Sequence, residues 1–202
     1  MMRQLLRTTA NTNNVAMRTA SNKIDFSKPR VLITGSLGQV GTDLTAQLRQ
    51  KFGAHNVIAS DIRCPDHTVY EAGPFEFCDV MKPDQIERIV VNNKVNWVIH
   101  LSAIMSVLGE AKPELAMDLN ITGSRNILDI CRKHSCMCYT PSSMAVFNED
   151  AGKIMTKDDT ILNPTTVYGI TKVLVEQLGS YYHRKFGLDF RCLRYPGIIS
   201  PA

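Results

Sequence analysis

The sequence predicts an α/β domain: a doubly wound parallel sheet of about six strands, preceded by a disordered N-terminal tail. Two observations carry this. Short apolar, β-rich runs alternate with stretches of helical period from residue 31 to residue 193, the pattern of repeated strand–helix–strand units with right-handed crossovers. At the head of the first unit, an apolar run at 31–34 meets Gly35, Gly38 and Gly41, and then a helical pattern with Leu44 and Leu48 on one face. A chain of 202 residues is long enough for one well-cored domain.

The tail comes first. Residues 1–24 hold Arg3, Arg7, Arg18 and Lys23 and no acid. Four of the 23 basic residues thus lie in the tail, leaving 19 against 19 acidic ones. The folded part is therefore neutral, which speaks against a nucleic-acid surface. The tail is rich in Arg, Ser, Thr and Asn without a continuous apolar core. That is the composition of an organellar transit peptide rather than a secretory signal, with a plain disordered extension as the alternative. The sequence divides into a presequence at 1–27, directed to the mitochondrial matrix, and a folded domain at 28–202. No apolar run reaches membrane-spanning length, so no membrane partner is expected.

A strand turning sharply into a helix leaves unpaired backbone N–H groups at the turn, with the positive end of the helix dipole behind them. Glycine lets a pyrophosphate reach that backbone and lets the helix pack closely on the strand. The glycine turn therefore predicts dinucleotide binding. The helix is expected to end near Phe52, and residues 56–61 to form a second strand. Asp61 lies 26 residues after Gly35, about where a carboxylate meets the ribose hydroxyls. A carboxylate there repels a 2′-phosphate and so favours NAD over NADP; Arg63 nearby weakens that bias. The alternative for Asp61 is an ordinary strand-end turn.

A third strand is expected at 75–79, with Asp79 at its end near an adenine edge. A helix starts at Pro83, with Ile86, Ile89 and Val90 inward. The stretch 97–101, apolar but for His100, reads as a fourth, parallel strand. It runs through Leu101 into small residues, Ser102 and Ala103, where a nicotinamide ribose is expected. His100 at this strand end reads as structural rather than catalytic. A long helix is predicted over 113–134, with Asn120 inside it either facing solvent or holding a kink. Residues 137–140 form a fifth strand leading to Ser142 and Ser143, 148–160 a polar loop, 168–186 a helix, and 188–193 a sixth strand. The six cysteines lack paired C-x-x-C spacing, so neither a zinc site nor a disulfide set is expected. Cys136 and Cys138 alternate onto one strand face as small buried thiols.

The chemistry centres on Tyr168 and Lys172, one helical turn apart and hence on one face. An ammonium beside a phenol favours phenolate, which makes tyrosine a usable general base. Ser143 at a neighbouring strand end is placed to orient a substrate oxygen. Alone, such a Tyr/Lys spacing is equally an ordinary amphipathic helix.

Taken together, T-G-x-x-G-x-x-G, S-D-I, S-S-x-x-V-F and Y-x-x-x-K resemble the extended short-chain dehydrogenase/reductase superfamily, with its Rossmann-type fold. The wording of residues 103–110, 166–172 and 193–200 is similar to the L-threonine-oxidising branch of that superfamily. The resemblance covers about residues 29–201. It implies that Gly35, Ser36, Gly38, Gln39, Val40 and Gly41 cradle the pyrophosphate, and that Asp61, Ile62 and Arg63 meet the adenosine ribose. Asp79 and Val80 would meet the adenine; Leu101, Ser102, Ala103 and Asn120 complete the pocket; Ile198 backs the nicotinamide ring. Ser143, Tyr168 and Lys172 would form the catalytic set, with Tyr168 as acid/base and Lys172 also holding the nicotinamide ribose. The implied reaction is NAD-dependent oxidation of L-threonine at C3 to 2-amino-3-oxobutanoate, in a homodimer paired through the helices at 113–134 and 166–186. Asn148 departs from the glycine common after V-F. A smaller substrate lobe is implied beyond Ala202. Two alternatives stay open: a sugar-nucleotide epimerase or dehydratase, and a non-catalytic NAD-binding paralogue.

Overall fold

The computed structural model describes residues 27–148 and 156–198. The expected presequence and most of the polar loop expected at 148–160 lie outside these. Strand β1 (Val31–Thr34) is buried along its whole length, because the sheet is covered on both faces. Val31 and Ile33 pack on one side with Val57, Ile99 and the partly buried Leu44, Leu48 and Phe52. Leu32, between them, packs on the other with Ile58, Ile86, Ile89, Val98 and Ile127. That alternation is the period of two that side chains take along a strand, and burial on both faces is what a parallel sheet requires.

After β1 come helix α1 (Gln39–Phe52), strand β2 (Val57–Asp61), a short helix α2 (His67–Glu71), strand β3 (Phe75–Phe77), helix α3 (Pro83–Asn92) and strand β4 (Trp97–His100). Helices α4 (Ser106–Ala111) and α5 (Pro113–Met117) lead through a π-turn, Asp118–Gly123, into α6 (Ser124–Lys133). Strands β5 (Met137–Tyr139) and β6 (Ser142–Ser143), helix α7 (Val167–Phe186), and strands β7 (Phe190–Arg191) and β8 (Arg194–Tyr195) complete the order. The main sheet runs β3-β2-β1-β4-β5-β7, with every pairing parallel. The order reverses between β1 and β4. In such a sheet the crevice at the carboxyl ends of those two strands is the ligand site.

The helix expected over 113–134 runs without a gap from Pro113 to Lys133, with a π-turn at Asp118–Gly123, and of the two alternatives for Asn120 the kink holds: its side chain bonds the Ile104 backbone rather than solvent. Two expectations need correction. The third strand stops at Phe77, since Asp79 turns the chain: its carboxylate accepts from Met81 N–H (2.9 Å) and its carbonyl from Lys82 N–H (2.9 Å). The strand expected at 188–193 shortens to Phe190–Arg191, and a further strand, β8, follows it. Only Phe190–Arg191 joins the main sheet, and β8 pairs with β6 in a separate parallel ladder, anchored by Ser142 N–H donating to Leu193 O at 2.8 Å.

Candidate active site

The glycine turn sits at the end of β1. Gly35 has φ +71°, and a Cβ on it would lie 2.7 Å from Ser102 N, so the turn and the loop after β4 touch backbone to backbone. A Cβ at Gly41 would lie 2.3 Å from Gly35 O, which seats α1 directly on the turn. Gly38 differs: its φ is −79° and the nearest atom to an added Cβ is 3.3 Å away. The fold asks little of glycine there, which suits a position where a ligand approaches the backbone. The N–H groups of Ser36, Leu37 and Gly38 are taken by Ser60 O, Asp61 Oδ2 and Gly35 O. No side chain caps α1 among the described residues, so the first-turn amides of Gln39 and Val40 remain for an anion. Ser36 Oγ is buried without a partner among the described residues. These features fit a pyrophosphate.

Asp61 closes the next side. Its Oδ2 accepts from Leu37 N–H at 3.1 Å, and its Oδ1 from Arg63 N–H and Nε at 3.0 and 3.1 Å. Burial pushes this carboxyl up, but the Arg63 and Leu37 hydrogen bonds outweigh it and hold the pKa below the usual value. The Arg63 guanidinium thus folds onto Asp61 rather than standing free, while Ile62 is exposed. Asp79 is occupied by its own turn, and Val80 is buried, its carbonyl accepting from Asn126 Nδ2 at 3.0 Å.

Asn120 ties the two ends of the crevice together. Its side chain accepts from Ile104 N–H (2.8 Å) and donates to Ile104 O (3.0 Å) and to Thr171 Oγ1 (3.1 Å). The loop Leu101–Ser102–Ala103 is thereby pinned between Gly35 and α7. Asn120 is 2% exposed, and its amide is engaged in this clamp. At the same edge, His100 Nδ1 and Thr34 Oγ1 are 2.8 Å apart. His100 is buried, and burial followed by the Lys172 charge pushes its pKa down to about 3, so it is neutral. This agrees with a structural histidine.

Tyr168 and Lys172 share the inward face of α7, and both are buried. Lys172 Nζ donates to Pro141 O at 2.9 Å and lies 5.5 Å from the centre of the Tyr168 ring. Burial pushes Lys172 down to about 8. Ser143 caps a 3-10 turn, Met144–Val146, accepting from Ala145 N–H at 3.2 Å. Gly169 explains how helix and turn come so close: a Cβ there would lie 2.2 Å from Ala145 O. The phenol does not follow the expected direction. Burial raises the Tyr168 pKa, and a hydrogen bond with Ser143 only partly offsets it. The spacing puts Lys172 beside the ring, but its ammonium is directed to Pro141 O, and desolvation of the phenol dominates.

The structure therefore brings Ser143, Tyr168 and Lys172 to one end of the crevice, with the glycine turn and Asp61 at the other. Ile198 is exposed at 46% beyond β8. Gly169 and Thr171 are contributors that spacing alone missed; their place inside the Y-x-x-x-K turn, between Tyr168 and Lys172, was the available signal.

A glycine turn at a sheet's switch point and a strand-end acid define a dinucleotide-binding crevice, with a Ser/Tyr/Lys group at its edge. The chain belongs to the NAD dependent epimerase/dehydratase family, whose model matches residues 31–202. It is 48% identical over 176 residues to the mitochondrial L-threonine 3-dehydrogenase of Sus scrofa, covering 87% of this chain and 47% of that protein. Among solved structures, L-threonine 3-dehydrogenase from Trypanosoma brucei matches with TM-score 0.81 and 50% identity, over 85% of this chain and 54% of that one. L-threonine dehydrogenase from Clostridium difficile matches with TM-score 0.83 and 44% identity, over 86% and 55%. The chain spans about half the length of the curated relatives it matches.

Proposed function

We propose that this chain binds NAD and carries the catalytic groups for oxidation of L-threonine at C3 to 2-amino-3-oxobutanoate. The observation that carries the reading is the convergence of Ser143, Tyr168 and Lys172 beside a loop that Asn120 locks against the glycine turn. Gln39 and Val40 N–H groups receive the pyrophosphate, and Asp61 takes the ribose hydroxyls. Bound NAD supplies the acceptor for the hydride that leaves C3. Ser143 Oγ donates to the substrate oxygen and orients it. Tyr168 Oη, as phenolate, takes the hydroxyl proton, and as phenol returns it in the reverse direction. Lys172, donating to Pro141 O, keeps its remaining N–H groups for the nicotinamide ribose. Because burial raises the Tyr168 pKa, the base form grows with pH, and oxidation should accelerate into the alkaline range.

Residues 1–27 act as a mitochondrial presequence in this reading, which their composition and the mitochondrial name of the Sus scrofa relative support; fusing them to a fluorescent protein tests it. Two copies pair through α7 and α5, where Ile170, Leu174 and Tyr181 on one helix and Leu115 and Met117 on the other are exposed apolar residues. Leu174→Glu should then yield a monomer by light scattering. The function itself is tested by NAD titration and by threonine-dependent formation of reduced nicotinamide. Tight binding of a UDP-sugar with no threonine oxidation would instead favour an epimerase or dehydratase.

A further inference from the structure

Ser143 rides on scaffolding too slight to stand alone. Strands β6 and β8 are two residues each, and an isolated ladder of that length is not stable in water. One side chain joins its parts. Arg194, the ladder partner of Ser142, reaches α7 by a side-on fork: Nε donates to Glu176 Oε1 at 3.0 Å and Nη2 to Glu176 Oε2 at 2.8 Å. Its Nη1 donates to Asp158 O at 3.0 Å, and the guanidinium lies 5.1 Å from the centre of the Phe147 ring, immediately past the turn that Ser143 caps. Glu176 stands four residues after Lys172 and eight after Tyr168, so all three project from one face of α7. The pair is shielded, at 25% and 13% side-chain exposure, and a planar fork fixes direction as well as distance.

We propose that Arg194 and Glu176 are a positioning pair that sets the distance between the turn carrying Ser143 and the helix carrying Tyr168. Neither touches substrate; both act through Ser143. The proposal rests on the catalytic assignment of Ser143 and Tyr168 above. Burial pushes the Glu176 carboxyl up, but the hydrogen bonds of Arg194, then the Ser142 hydroxyl and the Arg194 charge, hold it below its usual range, so the fork persists at neutral pH. The Asp158 contact also links the polar loop to the same anchor.

The test uses Glu176→Gln, Arg194→Lys and the double variant Arg194→Met/Glu176→Met, which leaves no charge buried without a partner. Carbon-13-labelled tyrosine, assigned with Tyr168→Phe, reports the titration of the Tyr168 phenol. Lys172 faces that phenol from its own helix and Ser143 from the neighbouring turn. Loosening the clamp removes the Ser143 hydrogen bond, so the midpoint should move to higher pH in Glu176→Gln and in the double variant, with Arg194→Lys between. NAD affinity should stay within about 2-fold, since the glycine turn is untouched, while threonine turnover falls roughly 10-fold or more. A Tyr168 midpoint unmoved in all three, with only melting temperature lowered, would make the pair a merely structural bridge and overturn the proposal. A parallel loss of NAD affinity would overturn it too, by showing general damage. If the wild-type chain binds no NAD, the functional reading fails separately, and the tyrosine titration alone decides the clamp.

Discussion

Lowering the pH from 7 to 5 should weaken this fold through His100 by an amount the structure sets. His100 is 2% exposed, with Nδ1 committed to Thr34 and Nε2 unpartnered among the described residues. Its pKa falls from an ordinary 6.5 to about 3 in the fold. Between those values the unfolded chain binds a proton that the folded chain does not, so stability rises with pH across this window and is lost on acidification. At pH 5, about 1.5 units below the unfolded value, the penalty is about 2 kcal/mol at 1.36 kcal/mol per unit. Urea unfolding of wild type and His100→Gln at both pH values isolates the contribution, because every other titrating group is common to the two proteins. The difference between their stabilities should shrink or reverse by about 2 kcal/mol at pH 5. Parallel curves would refute the reasoning, by showing that His100 is protonated in the fold or already shielded when unfolded.

Other substitutions test the frame around the site. Asn120→Leu leaves Ile104 N–H and C=O without their partner and should cost about 2–4 kcal/mol in denaturant unfolding, with NAD affinity falling as the loop after β4 loosens. Gly169→Ala places a methyl against Ala145 O and should cost about 1–3 kcal/mol, with threonine turnover reduced well beyond the change in NAD affinity. Asp61→Ala removes the acid that Leu37 and Arg63 hold; competitive titration should show the preference for NAD over NADP shrinking by roughly 10-fold.

The sheet was legible because its central strands are buried on both faces, so Val31–Thr34 and Val57–Asp61 open on unbroken apolar runs, residues 31–33 and 57–59. The glycine turn was legible for the same local reason: spacing, strand and helix are contiguous. What escaped was decided at long range. A kink at Asn120 was one of two readings, but its partners, Ile104 and Thr171, lie sixteen and fifty-one residues distant, and no periodicity records such bonds. Strands β6 and β8 are too short to carry a pattern, and only their mutual pairing defines them. For Tyr168 the four-residue spacing correctly placed Lys172 on its face, but the direction of the phenol's pKa depends on depth of burial, which spacing does not contain.

The central claim is that Tyr168 moves the substrate proton in a site that holds NAD independently of it. Tyr168→Phe keeps the ring and its packing on α7 and removes only Oη, leaving the glycine turn and Asp61 intact. NAD affinity and threonine-dependent formation of reduced nicotinamide, measured side by side on wild type and variant, test this most directly. The expected result is unchanged NAD binding with turnover lower by roughly 10²–10⁴-fold, the usual share of a general acid/base. Near-normal turnover in Tyr168→Phe would contradict it and leave the chain as an NAD-binding domain without the proposed chemistry.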